Sequence, residues 1–251
     1  MPFSAELEQH RVADELLAAA YENTPPALRG WIKATLALVE SAFPALPSRR
    51  LVTVENAAAG FGLRRLSETA PWAAAFLGDG YASAIRLAAA LMTARMAGVE
   101  PLFAVCAGKP ENVACPVLAA LELTGVEQVF ALPDPAPLLR ELEGRGRLLA
   151  FGFPQAARME GSLPVWHDAP PHIAAAALPD EALIRWAHPD ALFVREGADV
   201  LYEGQETGTA PALTLAKGLE GCWLHPSLSP DFFLNDRLGL FTVEAREDPF
   251  E

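Results

Sequence analysis

Three short stretches carry the residue types best suited to chemistry. In "FLGDGYAS" (Phe76–Ser83), Gly78 and Gly80 stand between an apolar run and a helical pattern, with Asp79, Tyr81 and Ser83 interleaved. Glycine there permits positive φ and a close approach of backbone to ligand. The N–H groups that open the next helix can receive a phosphate or carboxylate. The spacing is G-x-G-x-x-S, without the third glycine of the dinucleotide fingerprint, and Asp79 would repel an anion. The segment is either a plain tight turn or a ligand-facing loop. "CAGKPEN" (Cys106–Asn112) takes the same place after the next apolar run. Lys109 suits a phosphate or ribose, and Asn112 suits capping of the following helix while pointing to the same crevice; a solvated turn is the alternative. "WHDAPPH" puts His167, Asp168 and His172 within six residues. Imidazole and carboxylate are zinc ligands, yet H-x4-H in a Pro-Pro loop matches no zinc spacing. A surface loop around Trp166 is expected there, and no metal ligand is assigned.

The cysteines Cys106, Cys115 and Cys222 form no C-x-x-C pair. Cys115 opens a helix, where a thiol pKa falls. Cys222, in "LEGCWLHP", is a nucleophile only if a base approaches it, and otherwise a small buried residue. His188 and His225 are isolated, each followed by proline. There is no G-x-S-x-G, P-loop or H-E-x-x-H, so no catalytic residue is assigned.

The elements that position these residues show themselves through a repeat. "MAGVEPLFAV" (Met96–Val105) and "LTGVEQVFAL" (Leu123–Leu132) are nearly one phrase, with Gly98 and Gly125 in matching places. Each reads as a helix end, a capping glycine and an apolar strand. Strands are expected at "WAAAFL", "PLFAVC", "QVFAL" and "RLLAFGF", with helices at "AIRLAAALMTARMA", "VACPVLAALELT" and "LLRELEG". Strands apolar throughout need both faces covered, and strand-helix-strand units of this length pair in parallel. The fold class is α/β: a Rossmann-like, doubly wound, mainly parallel sheet. Residues 1–48 are an N-terminal helical segment, with one helix over 4–22 and another to about Phe43. The core spans 49–153, including a strand at "LVTVEN" and an irregular turn around Gly60 and Gly62. Residues 154–251 are an α+β extension or small lobe. That part holds a proline-rich loop, a helix at "DEALIRWA", strands around Gly197-Ala198 and a strand at "GCWLHPSL". A helix opened by Ser229 and Pro230 and an acidic tail complete it.

Composition narrows the job. The 251 residues are 51% hydrophobic and carry a formal net charge of −13. Nucleic acid and anionic membrane surfaces are therefore unsuited as partners. No membrane span, no basic signal-like start and no disulfide pattern are read, and a reduced cytoplasmic setting is expected.

From Gly78 to Leu132 the sequence resembles the central domain of histidinol dehydrogenase, which shares its fold with the aldehyde dehydrogenase superfamily. Gly78-Asp79-Gly80-Tyr81-Ala82-Ser83, Ala97-Gly98-Val99, Glu111-Asn112 and Thr124-Gly125-Val126 stand in the family's places. The family's Gln-x-x-His zinc motif has no counterpart, and no glutamate directly precedes a histidine anywhere. The resemblance thus implies the fold and a crevice without the zinc and catalytic motifs. The leading expectation is a small anionic metabolite or nucleotide bound by Gly78, Asp79, Gly80, Tyr81, Ser83, Lys109 and Asn112. One rival is an NAD(P)-dependent alcohol or aldehyde oxidoreductase, which needs Cys222, His225 or His167 to converge on the Gly78–Ser83 loop. Another is a homodimeric assembly protein with an uncovered apolar face on residues 4–43.

Overall fold

The apolar runs that precede the two glycine-containing loops lie side by side as parallel strands. The computed structural model describes residues 3–126, 128–174, 180–194, 212–214 and 218–243. Its chain opens with helices α1 (Ala5–Glu8), α2 (Asp14–Asn23) and α3 (Pro26–Ala42), then the hairpin strands β1 (Arg49–Asn56) and β2 (Phe61–Thr69). There follow β3 (Ala73–Leu77), α4 (Ala84–Met96), β4 (Leu102–Cys106), α5 (Cys115–Leu123), β5 (Gln128–Ala131), α6 (Ala136–Glu141) and β6 (Arg147–Phe151). The rest is β7 (Val165–Asp168), β8 (His172–Ala174), α7 (Glu181–Ala187), β9 (Leu192–Val194), β10 (Ala212–Thr214) and β11 (Leu234–Thr242).

Five strands form a parallel sheet in the order β5-β4-β3-β6-β7. Strands β3, β4 and β6 are buried at every position, which is why they show no polar alternation. Strands β4 and β5 are neighbours, so the duplicated phrase is two successive αβ units. Gly98 and Gly125 take φ of 79° and 68° just past α4 and α5, the left-handed conformation that ends a helix. Both faces are covered. Ala73, Ala75 and Leu77 pack with the apolar residues of α2 to α5. Trp72, Ala74 and Phe76 pack with Leu7 of α1, Leu138 of α6 and Phe153. The doubly wound α/β fold expected from the sequence is present.

Several local readings change. The helix expected over 4–22 is interrupted between α1 and α2, where the chain pairs with the edge of β5. The Val12 N–H donates to the Val129 carbonyl and the Ala131 N–H to the His10 carbonyl, both at 2.8 Å. An edge strand's backbone groups outcompete local helix preference here. Gly62 lies inside β2, and the irregular turn is confined to the residues around Gly60. "WHDAPPH" begins as a strand rather than a loop, because β7 extends the parallel sheet beside β6. No strand forms at "GCWLHPSL". Ser229 and Pro230 start only a 3-10 turn (Pro230–Phe233), after which β11 pairs antiparallel with β2 along its whole length. The strands expected around Gly197-Ala198 and the tail after Val243 lie outside the described residues.

Strands β1, β2 and β11 form a separate antiparallel sheet, and β10, β8 and β9 a short parallel one. The antiparallel sheet is anchored at its base. The Arg147 guanidinium donates to the carbonyls of Phe232 (2.5 Å) and Leu234, while Thr69 Oγ1 donates to the Ala97 carbonyl at 3.0 Å. Helices α2 and α3 direct Leu17, Ala20, Ile32 and Val39 into the main core, so the chain itself covers their apolar faces.

Two glycines of opposite circumstance test this packing. A Cβ on Gly78 would stand 1.9 Å from the Gly152 carbonyl oxygen, a backbone atom that cannot step aside. Gly78→Ala should lose roughly 2–4 kcal/mol in urea unfolding. Gly30, in α3, has nothing within 4 Å of such a Cβ. Gly30→Ala should gain about 0.5–1 kcal/mol by the same measurement.

Candidate functional site

The two loops singled out above meet at the C-terminal edge of the parallel sheet. Gly78, Asp79, Gly80, Tyr81 and Asn112 line one recess together with Gly108 of the second loop. Its volume is about 10 Å³, room for one water at most. Residues 78–81 form a turn: the Tyr81 N–H donates to the Gly78 carbonyl at 3.1 Å, and Gly80 takes φ of 76°. The Asp79 carboxylate leans onto the second loop, its Oδ1 2.9 Å from the point a Cβ on Gly108 would occupy. Lys109, next in sequence to Gly108, is exposed and does not line the recess. Asn112 ends a short 3-10 turn and does not cap α5, whose N-cap is Ala114 with no side-chain bond. Ser83 faces inward: its hydroxyl accepts from the Arg86 N–H and donates to the Ala187 carbonyl at 2.5 Å.

In this strand order the topological switch lies between β3 and β6, where open α/β sheets usually bind ligands. Here the backbone closes it. The Gly78 N–H donates to the Phe151 carbonyl at 2.8 Å, and Gly78 packs against Gly152 with no room for a side chain between them.

Behind the turn lies a buried charged cluster. Tyr81 donates its hydroxyl to Asp168 Oδ2 at 3.1 Å. Asp168, at the end of β7, also forms an ion pair with Arg86, its Oδ2 3.0 Å from Nε. The other guanidinium nitrogens reach Asp190 at 2.7 and 2.8 Å. Arg86 and Asp168 are buried, while the Asp190 side chain remains partly open to solvent. On the far side, His225 Nε2 donates to the Arg86 carbonyl at 2.8 Å and Nδ1 accepts from Trp223 Nε1 at 3.0 Å, which sets the neutral tautomer. His188 lies against Trp223, ring centroids 4.5 Å apart, with neither ring nitrogen hydrogen-bonded.

Burial dominates the titration of this cluster. It pushes Asp168 up to about 7 against the pull of Arg86 and the Tyr81 hydroxyl. It holds His188 and His225 down to about 3, with the Arg86 charge acting in the same direction. It also raises Tyr81 well above the usual phenol value, with Asp168 adding to the effect. Arg86 joins two aspartates from separate segments, and His225 joins Trp223 to the helix backbone, so the cluster is built to hold segments together. Sequence reasoning passed over Arg86 as one letter of a helix. The signal was present: from Ala84 to Met92 the helix is apolar on every side apart from Arg86, and a charge in such a stretch has to find a counter-charge inside.

The remaining candidates lie apart. His167 pairs with Glu160 at 2.8 Å on the exposed surface. Cys222 is buried near Thr35 of α3, its thiol pushed up by burial. Cys106 is buried at the end of β4 and pushed up to about 12, and Cys115 is exposed at the start of α5. For His172 only the backbone is described, in β8. The side chains of Cys222, His225 and His167 do not line the recess. Among the described residues no three His, Cys, Asp or Glu side chains gather as a metal site. No helix among them is long and apolar enough to cross a membrane.

The histidines dictate a pH dependence. Both bind fewer protons folded than at their usual 6.5, so stability is full above about pH 6.5 and falls as pH drops towards 3. Asp168 acts oppositely, favouring the folded state as pH falls from about 7 towards 4. Two histidines against one carboxyl leave a net slope of about 1.4 kcal/mol per pH unit near pH 5. His188→Phe keeps a ring on Trp223 and removes the unbonded nitrogens. It should add about 1 kcal/mol at pH 7 and nearly flatten the cluster's slope in urea unfolding between pH 6 and 4.5.

No family model matches the sequence, and no curated protein matches it. Solved structures do. Histidinol dehydrogenase from Elizabethkingia anophelis aligns with a TM-score of 0.58 at 11% identity, over 93% of this chain and 77% of that one. Succinate-semialdehyde dehydrogenase from Burkholderia pseudomallei aligns at 0.38 and 16% identity, over 62% of this chain and 33% of that one. A NAD-dependent benzaldehyde dehydrogenase from Corynebacterium glutamicum aligns at 0.39 and 13% identity, over 76% and 48%. The resemblance read from Gly78–Leu132 thus extends, as a likeness of fold, over nearly the whole chain, which has a histidinol-dehydrogenase-like architecture.

Proposed function

We propose that this protein binds a small anion, a carboxylate- or phosphate-bearing metabolite, where the Gly78–Tyr81 turn meets the Lys109–Asn112 loop. One observation carries this reading. The chain's own Asp79 carboxylate rests against Gly108 at the meeting of the two loops, and the residue that follows Gly108 is an exposed lysine. A ligand carboxylate or phosphate takes that place when Asp79 swings to solvent, with Lys109 as counter-charge. Ser83 supports the turn from inside rather than touching the ligand.

A nicotinamide dinucleotide does not fit the edge as it stands. The recess holds about 10 Å³ and the switch point is closed by backbone. A zinc ion finds no three-ligand group among the described residues. Binding rather than oxidation is therefore the reading favoured. The three cysteines, all free, suit a reducing cytoplasm.

Thermal melting with phosphate, malonate, citrate, NAD and NADP tests the proposal. A small anion at a hundred times its dissociation constant should stabilise by about 2.7 kcal/mol. Asp79→Asn should tighten binding and Lys109→Ala should weaken it, each by about fivefold. Melting temperatures unmoved by any of the anions contradict the reading. A rise with NAD or NADP alone returns the nicotinamide-dependent alternative to first place.

A further inference from the structure

The charges of the cluster behind the glycine turn do not cancel. Arg86 supplies one cation and faces two carboxylates, Asp168 and Asp190. The Asp190 carboxylate takes the two outer nitrogens of the guanidinium, at 2.7 and 2.8 Å, and its side chain is 43% exposed. Water therefore shares its charge. The Asp168 side chain is 2% exposed, with Arg86 Nε 3.0 Å away and the Tyr81 hydroxyl at 3.1 Å. A buried carboxylate in excess of its counter-charge is costly, and a proton is its simplest neutraliser. Burial carries Asp168 up to about 7 against Arg86 and the Tyr81 hydroxyl, and the Asp190 charge adds to the rise.

Tyr81 joins this cluster to the front of the turn. Its N–H closes the turn on the Gly78 carbonyl, and it lines the recess together with Asp79 and Asn112. Its hydroxyl reaches back to Asp168. The ring packs on Phe151, centroids 5.2 Å apart, and the Arg86 guanidinium lies 5.9 Å from its centroid. One side chain thus spans the distance from the recess to Asp168. Protein rather than water fills that distance, and charges act on one another more strongly there than through solvent. An anion in the recess and an ionised Asp168 repel each other across the ring.

Given the anion site proposed above, on which this rests, we infer that an anion entering the Gly78–Tyr81 turn brings a proton with it and that Asp168 holds the proton. Charge sets the direction. With Asp168 ionised, the cluster is net negative and opposes the ligand. With Asp168 protonated, Arg86 and Asp190 balance one to one. Affinity therefore falls as pH rises through about 7, and by reciprocity a bound anion strengthens the hold of Asp168 on its proton. The other groups around Asp168 do not carry that proton near neutrality. His188 and His225 are held down to about 3 by burial, Tyr81 is raised well above the usual phenol value, and Arg86 stays cationic. His167 precedes Asp168 in β7, on the opposite face of the strand, and pairs with Glu160 on the exposed surface. Asp79 and Lys109 belong to the loops in front.

Calorimetric titration of the full-length protein with malonate, between about pH 6.5 and 8.5 and in two buffers of unlike ionisation heat, tests the inference. Malonate affinity should fall about fivefold across the range, with net proton uptake near its middle. Malonate's own protonation weakens binding at the acid end, so it cannot produce this trend. Asp190→Asn balances Arg86 without a proton. Its affinity should stay level and match that of the wild type at the acid end, with an unchanged far-UV spectrum. Tyr81→Phe removes a hydrogen bond to the ionised carboxylate, so its fall should move to higher pH. His167→Gln should keep the wild-type profile. Malonate binding with a level wild-type profile and no proton uptake overturns the inference and leaves the anion reading standing. So does a profile that Asp190→Asn leaves unchanged, or one that His167→Gln abolishes, which assigns the proton to the exposed imidazole. A protein that binds no malonate at any of these pH values overturns the inference outright, and melting with the other anions then decides the reading separately.

Discussion

A single buried guanidinium sets the terms for the rest of the molecule. Arg86 stands in the first turn of a helix that is otherwise apolar from Ala84 to Met92, and its charge is neutralised from within the protein. Asp168 arrives from the end of β7 and Asp190 from just beyond α7, while the Arg86 carbonyl takes the proton of His225. Removing one partner of such a pair costs far more than never having built it. Three separate segments of the later chain are thereby fixed to one helix turn. The end of β7, the residues just after α7 and the segment around His225 are held against α4 for that reason, and Trp166, Trp223 and both buried histidines complete the contact.

The same cluster explains the size of the candidate site. Tyr81 belongs both to the glycine turn and to the charged network, so the turn is held from behind through Asp168. In front, Gly78 and Gly152 bring β3 and β6 into backbone contact. A sheet edge restrained on both sides offers a small polar notch between loops rather than a dinucleotide crevice. The fold is like that of histidinol dehydrogenase, whereas the recess at the candidate edge is far smaller than a nicotinamide dinucleotide. A likeness of fold does not by itself carry a function, since sites are grafted onto shared architectures.

Much of the architecture was legible because it rests on local pattern. The repeated glycine-valine phrase, the uninterrupted apolar strands and the helix-ending glycines each have one physical reading, and together they specify adjacent parallel αβ units. What misled was tertiary competition. His10–Val12 left a helix to serve an edge strand, and Leu234–Thr242 overrode a Ser-Pro helix start because β2 offered a full ladder of partners. The positions of Gly78, Asp79, Gly80, Tyr81 and Lys109 in loops at one sheet edge followed from the strand pattern. The inward turn of Ser83 did not, since its partner, the Ala187 carbonyl, lies 104 residues away. Arg86 could have been found by asking which charge in an apolar helix lacked an explanation, although nothing in sequence named Asp168 and Asp190 as its partners.

The most direct test is a double-mutant cycle on Arg86→Met and Asp168→Leu, read by urea unfolding at pH 7. Arg86→Met leaves the buried Asp168 without its counter-charge and Asp168→Leu leaves Arg86 with Asp190 alone, and each should lose about 3–5 kcal/mol. The double variant should recover at least about 2 kcal/mol relative to the sum of the two. Losses that simply add, with no coupling between the sites, would contradict the claim that this ion pair ties the later half of the chain to the sheet.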